Sequence, residues 1–544
     1  MSASGDVPPP PIHSSLFRER LSLFLEVLGV LLVVSFFAYW VTRHFHSPGM
    51  VFDNLDDEFR SASWAYSFED GKSLWRHPDF GRFPLYHGFV TSYLMMPFYY
   101  VFGASLTLLK LWSVGGAVFT LLLMYAFMRK AFGVLPAALA LLLTSLHPSF
   151  IYGVKDGNFL VSYMLVFSMG TMYLLNQWWD TKKAGYYCAA MFPMAVGLGT
   201  RLWFVMFIGG LCFSAILLQG RVWKRFSWTG PAPVFRLFLK GLLCVSPIIL
   251  WAVVTEYRDS SLVVMLTRTK LGLDRPLGVW EQLSEGPLSL LSGQQFFHRL
   301  FMSGHSVTPH RLYAWFVGAG VVWLLIRTAW NWRRPKELWV VSVFMGMILF
   351  SLAAWKNLSH HYFAVYPFPQ MVLALCFWDV YALLGKRIPG SVAVAVMMTV
   401  ILRGEVRVAR RYDAEFKTVG ACRTATDRMG DLKVALRKEI ATGTVDRICC
   451  GIDTRNNLVL ADWTWNRLID QYSNHLVPAL LDRYPKQNVL FVRYVPGESY
   501  FSSGHIKIAE QEAVARKRTL RLIHQFFDCD GSPIYEIYRY ERRG

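Results

Sequence analysis

Apolar runs of about 20 residues constrain this chain more than any other feature, because a helix of that length crosses the roughly 30 Å hydrocarbon core of a bilayer. The first run, 21–41, follows Arg18 and Arg20, and no small-residue cleavage site comes after it. It reads as a retained signal anchor. Further runs lie at 105–128, 134–152, 158–176, 186–200, 202–219, 237–255, 312–328, 337–354, 361–384 and 389–402. The expected fold class is a polytopic α-helical membrane protein with about 11 transmembrane helices. Composition agrees: 54% of the residues are hydrophobic and 17% charged, against roughly 25% charged in an average soluble protein.

Charge sorts the connections. Alternate short loops carry Arg129 and Lys130; Lys182 and Lys183; Arg221, Lys224 and Arg225; Arg333, Arg334 and Lys336; Lys386 and Arg387. The positive-inside rule puts these loops and the N-terminus in the cytoplasm. They account for part of the formal net charge of +19 without a nucleic-acid partner. The opposite face then receives 43–104, the turn around Lys155 and Asp156, and 256–310. Residues 86–103 are apolar, but a crossing there would invert every later loop, so they are laid along the interface. Glu26 and Asp379 are expected towards cytoplasmic helix ends, solvated by snorkelling.

The composition changes near Arg403, which separates a membrane region, 1–403, from a C-terminal soluble α/β domain, 404–544. Strands are expected at 445–451, 488–494 and 533–540, and helices at 425–440 and 507–518. An odd number of spans puts this domain outside the cytoplasm; if 389–402 does not cross, it lies inside. Cys188, Cys212, Cys244 and Cys376 fall in spans and read as packing residues. Cys422, Cys449, Cys450 and Cys529 would permit disulfides in an oxidising compartment, although adjacent Cys449 and Cys450 fit no regular framework.

Just past the first span comes Asp53-Asn-Leu-Asp-Asp-Glu-Phe-Arg60, with four acids in six positions. Such a string is either a wetted acidic loop or a working site, a general base or a cage for a hard divalent cation. It is followed by Arg82-Phe-Pro-Leu-Tyr-His-Gly, Phe102-Gly103, Leu108-Leu-Lys-Leu-Trp and Leu146-His-Pro-Ser-Phe-Ile-Tyr-Gly-Val-Lys-Asp156. Later segments are Gly197-Leu-Gly-Thr-Arg201 and Lys356-Asn-Leu-Ser-His-His-Tyr-Phe with Tyr366-Pro-Phe-Pro369. In order, spacing and sidedness the sequence resembles the GT-C superfamily of membrane glycosyltransferases. It looks most like the branch holding protein O-mannosyltransferases and lipid A aminoarabinose transferases. Arg82 stands where that family usually has Lys, and Phe83 where it has the first Pro. The resemblance covers about 400 residues, and the terminal domain carries none of its motifs.

The resemblance implies a multi-pass glycosyltransferase of the inner (plasma) membrane with a GT-C-like fold. It would move a sugar, with inversion, from a polyprenyl-phosphate donor to an extracytoplasmic acceptor, whether protein, glycolipid or polysaccharide. Asp57 would be the base that takes the acceptor proton, with Asp56 an equal alternative, and Glu58 would orient it, bind a cation or pair with Arg60. Arg82, Arg201 and Lys155 would hold the donor phosphate. Asp57 and Asp156 would share a divalent metal ion, Mg or Mn, if one is used. His87, His360, His361 and Tyr362 are candidate substrate contacts, the last three equally suited to an interfacial belt. His305 and His310 lie in 256–310, a candidate lid. Expected partners are the lipid-linked sugar, membrane lipids and an unidentified acceptor, with no nucleic acid. A flippase for lipid-linked sugar and a non-catalytic relative that only binds it are the alternatives. The lack of an internal repeat and the clustering of the acids at one face disfavour the flippase. No Walker loop, dinucleotide fingerprint, zinc-protease motif or serine elbow is present.

Overall fold

The computed structural model describes residues 12–43, 90–103, 106–155, 159–200, 204–226, 235–236, 239–247, 249–250, 279–294, 309–330, 334–353, 359–384, 388–418, 428–450, 458, 468–471, 477–483, 488–495, 505–527 and 531–542. The membrane region is helical throughout these residues. It begins with α1 (Ile12–Thr42), α2 (Val90–Phe102) and α3 (Leu106–Phe132). Gly133 then turns the chain sharply at a φ of 100°, a conformation that costs glycine little, into α4 (Val134–Ser145). After a 56° bend comes α5 (Pro148–Lys155). Pro148 explains that break: it has no N–H to continue α4 and disfavours helix at His147, yet suits the first position of a new helix. Next come α6 (Phe159–Thr181), α7 (Ala184–Thr200), α8 (Val205–Phe226), a short helical piece over 279–291, α9 (Arg311–Trp330) and α10 (Pro335–Ala353). A 3-10 turn (Ser359–Val365), α11 (Phe368–Leu383) and α12 (Ile388–Thr418) complete the region. Among the described residues, five helices are long and apolar enough to cross a membrane, or six if α4 and α5 form one bent span. The expected number of about 11 goes beyond those.

Buried contacts define two ends of the bundle. At one, Phe127 near the end of α3 meets Trp339 near the start of α10, ring centroids 5.7 Å apart, and Trp339 stacks on Trp179 near the end of α6. Glu26 accepts hydrogen bonds from Arg129 and, at 2.7 Å, from Tyr125, while Lys336 pairs with Asp180 at 2.7 Å. Asp379 corrects the sequence-based expectation of a solvated helix end. It is wholly buried, accepting from Trp323 at 2.8 Å, from Arg327 at 3.0 Å and from Arg334. A charge inside a helical bundle persists only where partners replace its water. The other end gathers the close of α1, the start of α3, the close of α5, the start of α9 and the later turns of α12.

The terminal region contains α13 (Arg428–Ala441), β1 (Arg447–Cys450), β2 (Ile469–Gln471), α14 (Val477–Arg483), β3 (Val489–Tyr494), α15 (His505–Ala515), β4 (Arg518–Phe527) and β5 (Pro533–Arg542). The sheet order is β2-β1-β3-β5-β4, with β1 parallel to β2 and β3, and β5 antiparallel to β3 and β4. Ile448–Cys450 and Val489–Val492 are buried at consecutive positions, the mark of central strands covered on both faces. Cys449 and Cys450 are buried in that core; Cys422 and Cys529 lie outside the described residues. Strand β4 starts where a helix was expected to end, at 518, and its alternation is broken by irregularities between Leu522 and His524 and between Phe526 and Phe527. Those bulges hide the two-residue period.

The sheet and the membrane region share a core. Met95 and Tyr99 of α2 belong to the same buried cluster as Ile448, Phe491 and Tyr535, with Leu108, Trp112 and Tyr163 packed against it. Trp112 stacks on Tyr163 at 4.9 Å and meets the edge of Phe98 at 4.4 Å. On its outer side α2 exposes Tyr100, Val101 and Phe102. One face against protein and one apolar face left open suit a helix lying in the interface.

Candidate active site

Lys155 ends α5 and is 2% exposed. Its Nζ donates to the backbone oxygen of Arg43, which closes the described part of α1, and lies 5.6 Å from the centroid of the Tyr152 ring. Three further charges act on it: Lys110, itself buried in the first turns of α3, Asp413 of α12, and the Arg43 guanidinium. Arg43 pairs with Asp413 at 3.5 Å and leans over Trp40; Asp413 also takes Lys417 at 3.0 Å. Three cations therefore converge around Asp413, and two of them, Lys110 and Lys155, are buried. Positive charge gathered in this way suits an anionic ligand such as a phosphate.

The lysine is held in place from several sides. Ser113 donates to the Val154 oxygen at 3.2 Å, which ties α3 to the last turn of α5. Tyr152 stacks on Tyr412 with centroids 3.9 Å apart and donates to the Ala409 oxygen at 3.1 Å, which ties α5 to α12. At the start of α5, His147 is fully buried between the Leu291 oxygen at 3.2 Å and the Tyr366 hydroxyl at 2.7 Å from Nδ1. Glu405 of α12, 2% exposed, pairs with His310 at 3.1 Å and stands 3.9 Å from His147. Gly404 makes room for this pair, since a Cβ there would fall 2.1 Å from His310 Nε2. Short, satisfied contacts of this kind fix a site to within fractions of an ångström.

The other sequence candidates divide between the described and the undescribed. Asp56, Asp57, Glu58, Arg82, His87, Asp156 and Arg201 lie outside the described residues. His305 does too, whereas His310 is the buried partner of Glu405 rather than part of a cover. Residues 290–293 are likewise bolted to the bundle: Ser149 donates to the Leu290 oxygen at 2.7 Å and Tyr412 to the Gly293 oxygen at 2.8 Å. The lid reading of 256–310 does not hold for that stretch. His360 and His361 fall in the 3-10 turn, with their side chains outside the description. Tyr362 is buried against an apolar void of about 10 Å³ that includes Leu290, Phe344 and Pro369. That volume is at the limit for one water molecule, so among the described residues Tyr362 packs against the bundle on this side. Among the described residues, no group of three or more His, Cys, Asp or Glu side chains could hold a metal ion.

Sequence reasoning missed Lys110, Asp413 and the His147–Glu405–His310 cluster. Lys110 and His147 sit in segments already singled out. For Asp413 the available signal was its register: Glu405, Ala409, Tyr412 and Asp413 continue one helical stripe beyond the last apolar run.

This helical region, with a mixed sheet packed onto α2, shares its overall fold with several solved structures. It is similar to the solved structure of ArnT, the lipid A aminoarabinose transferase, from Cupriavidus metallidurans in the apo state, at a TM-score of 0.54 and 12% identity over 96% of this chain and 98% of that one. The same enzyme bound to undecaprenyl phosphate matches at a TM-score of 0.52 and 14% identity, over 95% and 97%. The archaeal oligosaccharyltransferase AglB from Archaeoglobus fulgidus, with an inhibitory peptide and a dolichol-phosphate, matches at 0.51 and 13%, over 93% of this chain and 74% of that one. No family model and no curated relative matches the sequence. At these identities the likeness is one of fold. Its coverage carries it past residue 403 into the terminal region, where no sequence motif pointed.

Proposed function

We propose that the chain is an integral-membrane glycosyltransferase that moves a sugar from a polyprenyl-phosphate donor to an extracytoplasmic acceptor with inversion at the anomeric carbon. One observation carries this reading: the likeness, over nearly the full length of both chains, to a transferase solved with undecaprenyl phosphate. The cluster of Arg43, Lys110 and Lys155 supports it, because the charge it would neutralise is that of a phosphate at the membrane face. Asp57, or its neighbour Asp56, takes the proton of the acceptor group as that group bonds to the anomeric carbon. The bond from that carbon to the phosphate oxygen breaks on the opposite side, and the electron pair leaves with the lipid phosphate. Glu58 orients the base, and Lys155, Arg82 and Arg201 stabilise the departing charge. A divalent ion, Mg or Mn, would add to that stabilisation if Asp57 and Asp156 hold one; an Archaeoglobus fulgidus oligosaccharyltransferase of similar fold was solved with Zn and sulfate.

In this reading the N-terminus is cytoplasmic, and the end of the bundle that carries Lys155 faces outward in the plasma membrane. The terminal domain stands on that same side and helps select the acceptor, which is a protein, a glycolipid or a polysaccharide. The test is transfer by purified protein from a radiolabelled polyprenyl-phosphate sugar to acceptors in membrane extract. Asp57→Asn is expected to lower turnover by about 100-fold or more while donor binding persists. Undiminished transfer by that variant, or labelling of residue 57 from the cytoplasmic side only, would sink the proposal.

A further inference from the structure

Helix α12 has two faces. Glu405, Val408, Ala409 and Tyr412 are buried against the bundle. The opposite stripe begins with Val392, Val396 and Val400, all exposed, and continues at the same helical spacing through Arg403, Arg407 and Arg410. The three arginines, with Thr399, Leu402 and Val406, line an open surface groove of about 700 Å³ along this one helix. Among the described residues, none of the three has an ion pair. Their neighbours on the same helix are paired, Arg411 with Glu415 and Lys417 with Asp413. On the topology proposed above, arginines gathered at the end of the last apolar run also go against the usual charge bias of membrane proteins. They point to a counter-anion supplied from elsewhere.

We propose that this groove binds an anionic phospholipid, its phosphate headgroup held by Arg403, Arg407 and Arg410 and its chains lying along Val392, Val396 and Val400. Charge complementarity selects an anion, and planar guanidinium groups suit phosphate oxygens better than any other common donor. The unbroken apolar stripe below the arginines selects an amphiphile over a soluble ion. Interfacial height agrees, since the groove opens where the apolar part of α12 gives way to its charged part. The site is on the face of α12 turned away from Lys155, so it stands or falls independently of sugar transfer.

The experiment uses the full chain purified in uncharged detergent, titrated with fluorescent phosphatidylglycerol and, separately, phosphatidylcholine, with inorganic phosphate as competitor. Saturable binding of phosphatidylglycerol, weak binding of phosphatidylcholine and no competition by millimolar phosphate are expected. Arg403→Gln/Arg407→Gln/Arg410→Gln should weaken binding by about 100-fold, and each single change by about 5-fold. The triple lysine variant should recover most of it, and Val396→Glu should weaken lipid binding with all three arginines intact. Binding that survives the triple glutamine change in a protein with an unaltered melting curve overturns the proposal. If that variant does not fold, unchanged binding by Arg407→Gln does the same. Equal binding of phosphatidylcholine, or displacement by inorganic phosphate, would show an unselective belt or a soluble-anion site instead.

Discussion

The two ends of the helical bundle treat charge in opposite ways. At the end holding Asp379, acids and bases come in matched sets: Glu26 with Arg129, Asp180 with Lys336, Asp379 with Arg327 and Arg334. At the end holding Lys155, three cations meet Asp413, and Lys417 competes for it. Matched sets hold helices together and leave nothing over for a ligand. Several cations gathered around one described acid offer a place for an anion. The contrast separates stability from binding within one core, and mutation can pull the two apart.

The largest effect is expected at the matched end. Asp379→Ala strands two arginines that are each about a quarter exposed, and should destabilise the protein by about 3 kcal/mol, read as a fall in melting temperature in detergent. Asp379→Asn, which still accepts from Trp323, should lose less. Next comes the Lys155 end, where Lys155→Met should weaken polyprenyl-phosphate binding by roughly 10-fold or more, measured by lipid displacement, while the melting temperature falls by less than in Asp379→Ala. A stability loss as large as that of Asp379→Ala would erase the difference between the ends. Smaller still is Tyr152→Phe, which keeps the stack on Tyr412 but gives up the hydrogen bond to Ala409. It should cost about 1 kcal/mol, with a rise in KM for the donor sharper than any fall in kcat.

The smallest effect concerns the terminal sheet. Burial, and then the hydrogen bond it donates to Glu536, push the Tyr538 hydroxyl up to about 12 from an ordinary value near 10. The folded state thus keeps this proton longer than the unfolded one. Its contribution is complete below pH 10 and is lost as pH rises from 10 to 12. Tyr538→Phe should flatten the alkaline fall in stability over that window, followed by tyrosinate absorbance and unfolding in parallel. An unaltered alkaline profile would remove Tyr538 from the account.

Much of this was legible in the sequence, for identifiable reasons. Apolar runs and alternating basic loops report which segments lie in the bilayer and which ends belong together, so Arg129, Lys336 and Arg334 fall at one end as expected. Strands β3 and β5 announce themselves as short runs rich in β-branched and aromatic residues. Periodicity shows which face of a helix is apolar but not which distant group a lone carboxylate will meet. The partners of Asp379 are 45, 52 and 56 positions away, and those of Glu405 are 95 or more. The same limit explains why Asp379 was expected in water, and why Asp413 was passed over while Lys155, inside a motif, was not.

Helix α12 runs unbroken from Ile388 to Thr418, about 46 Å at roughly 1.5 Å per residue. Its apolar part accounts for only the first half of that length. The stretch from Arg403 to Arg410 rises about 10 Å, comparable to a headgroup layer, and the turns up to Thr418 add about 12 Å more. They form a stiff post, braced by Tyr412 and the pair of Asp413 with Arg43. On the topology proposed above, a post of that height sets the clearance between the lipid surface and the terminal sheet, together with the seat of that sheet on α2. Deleting one full turn of α12 beyond Arg410 would shorten the post by about 5 Å and, on that reading, should exclude bulky acceptors before small ones.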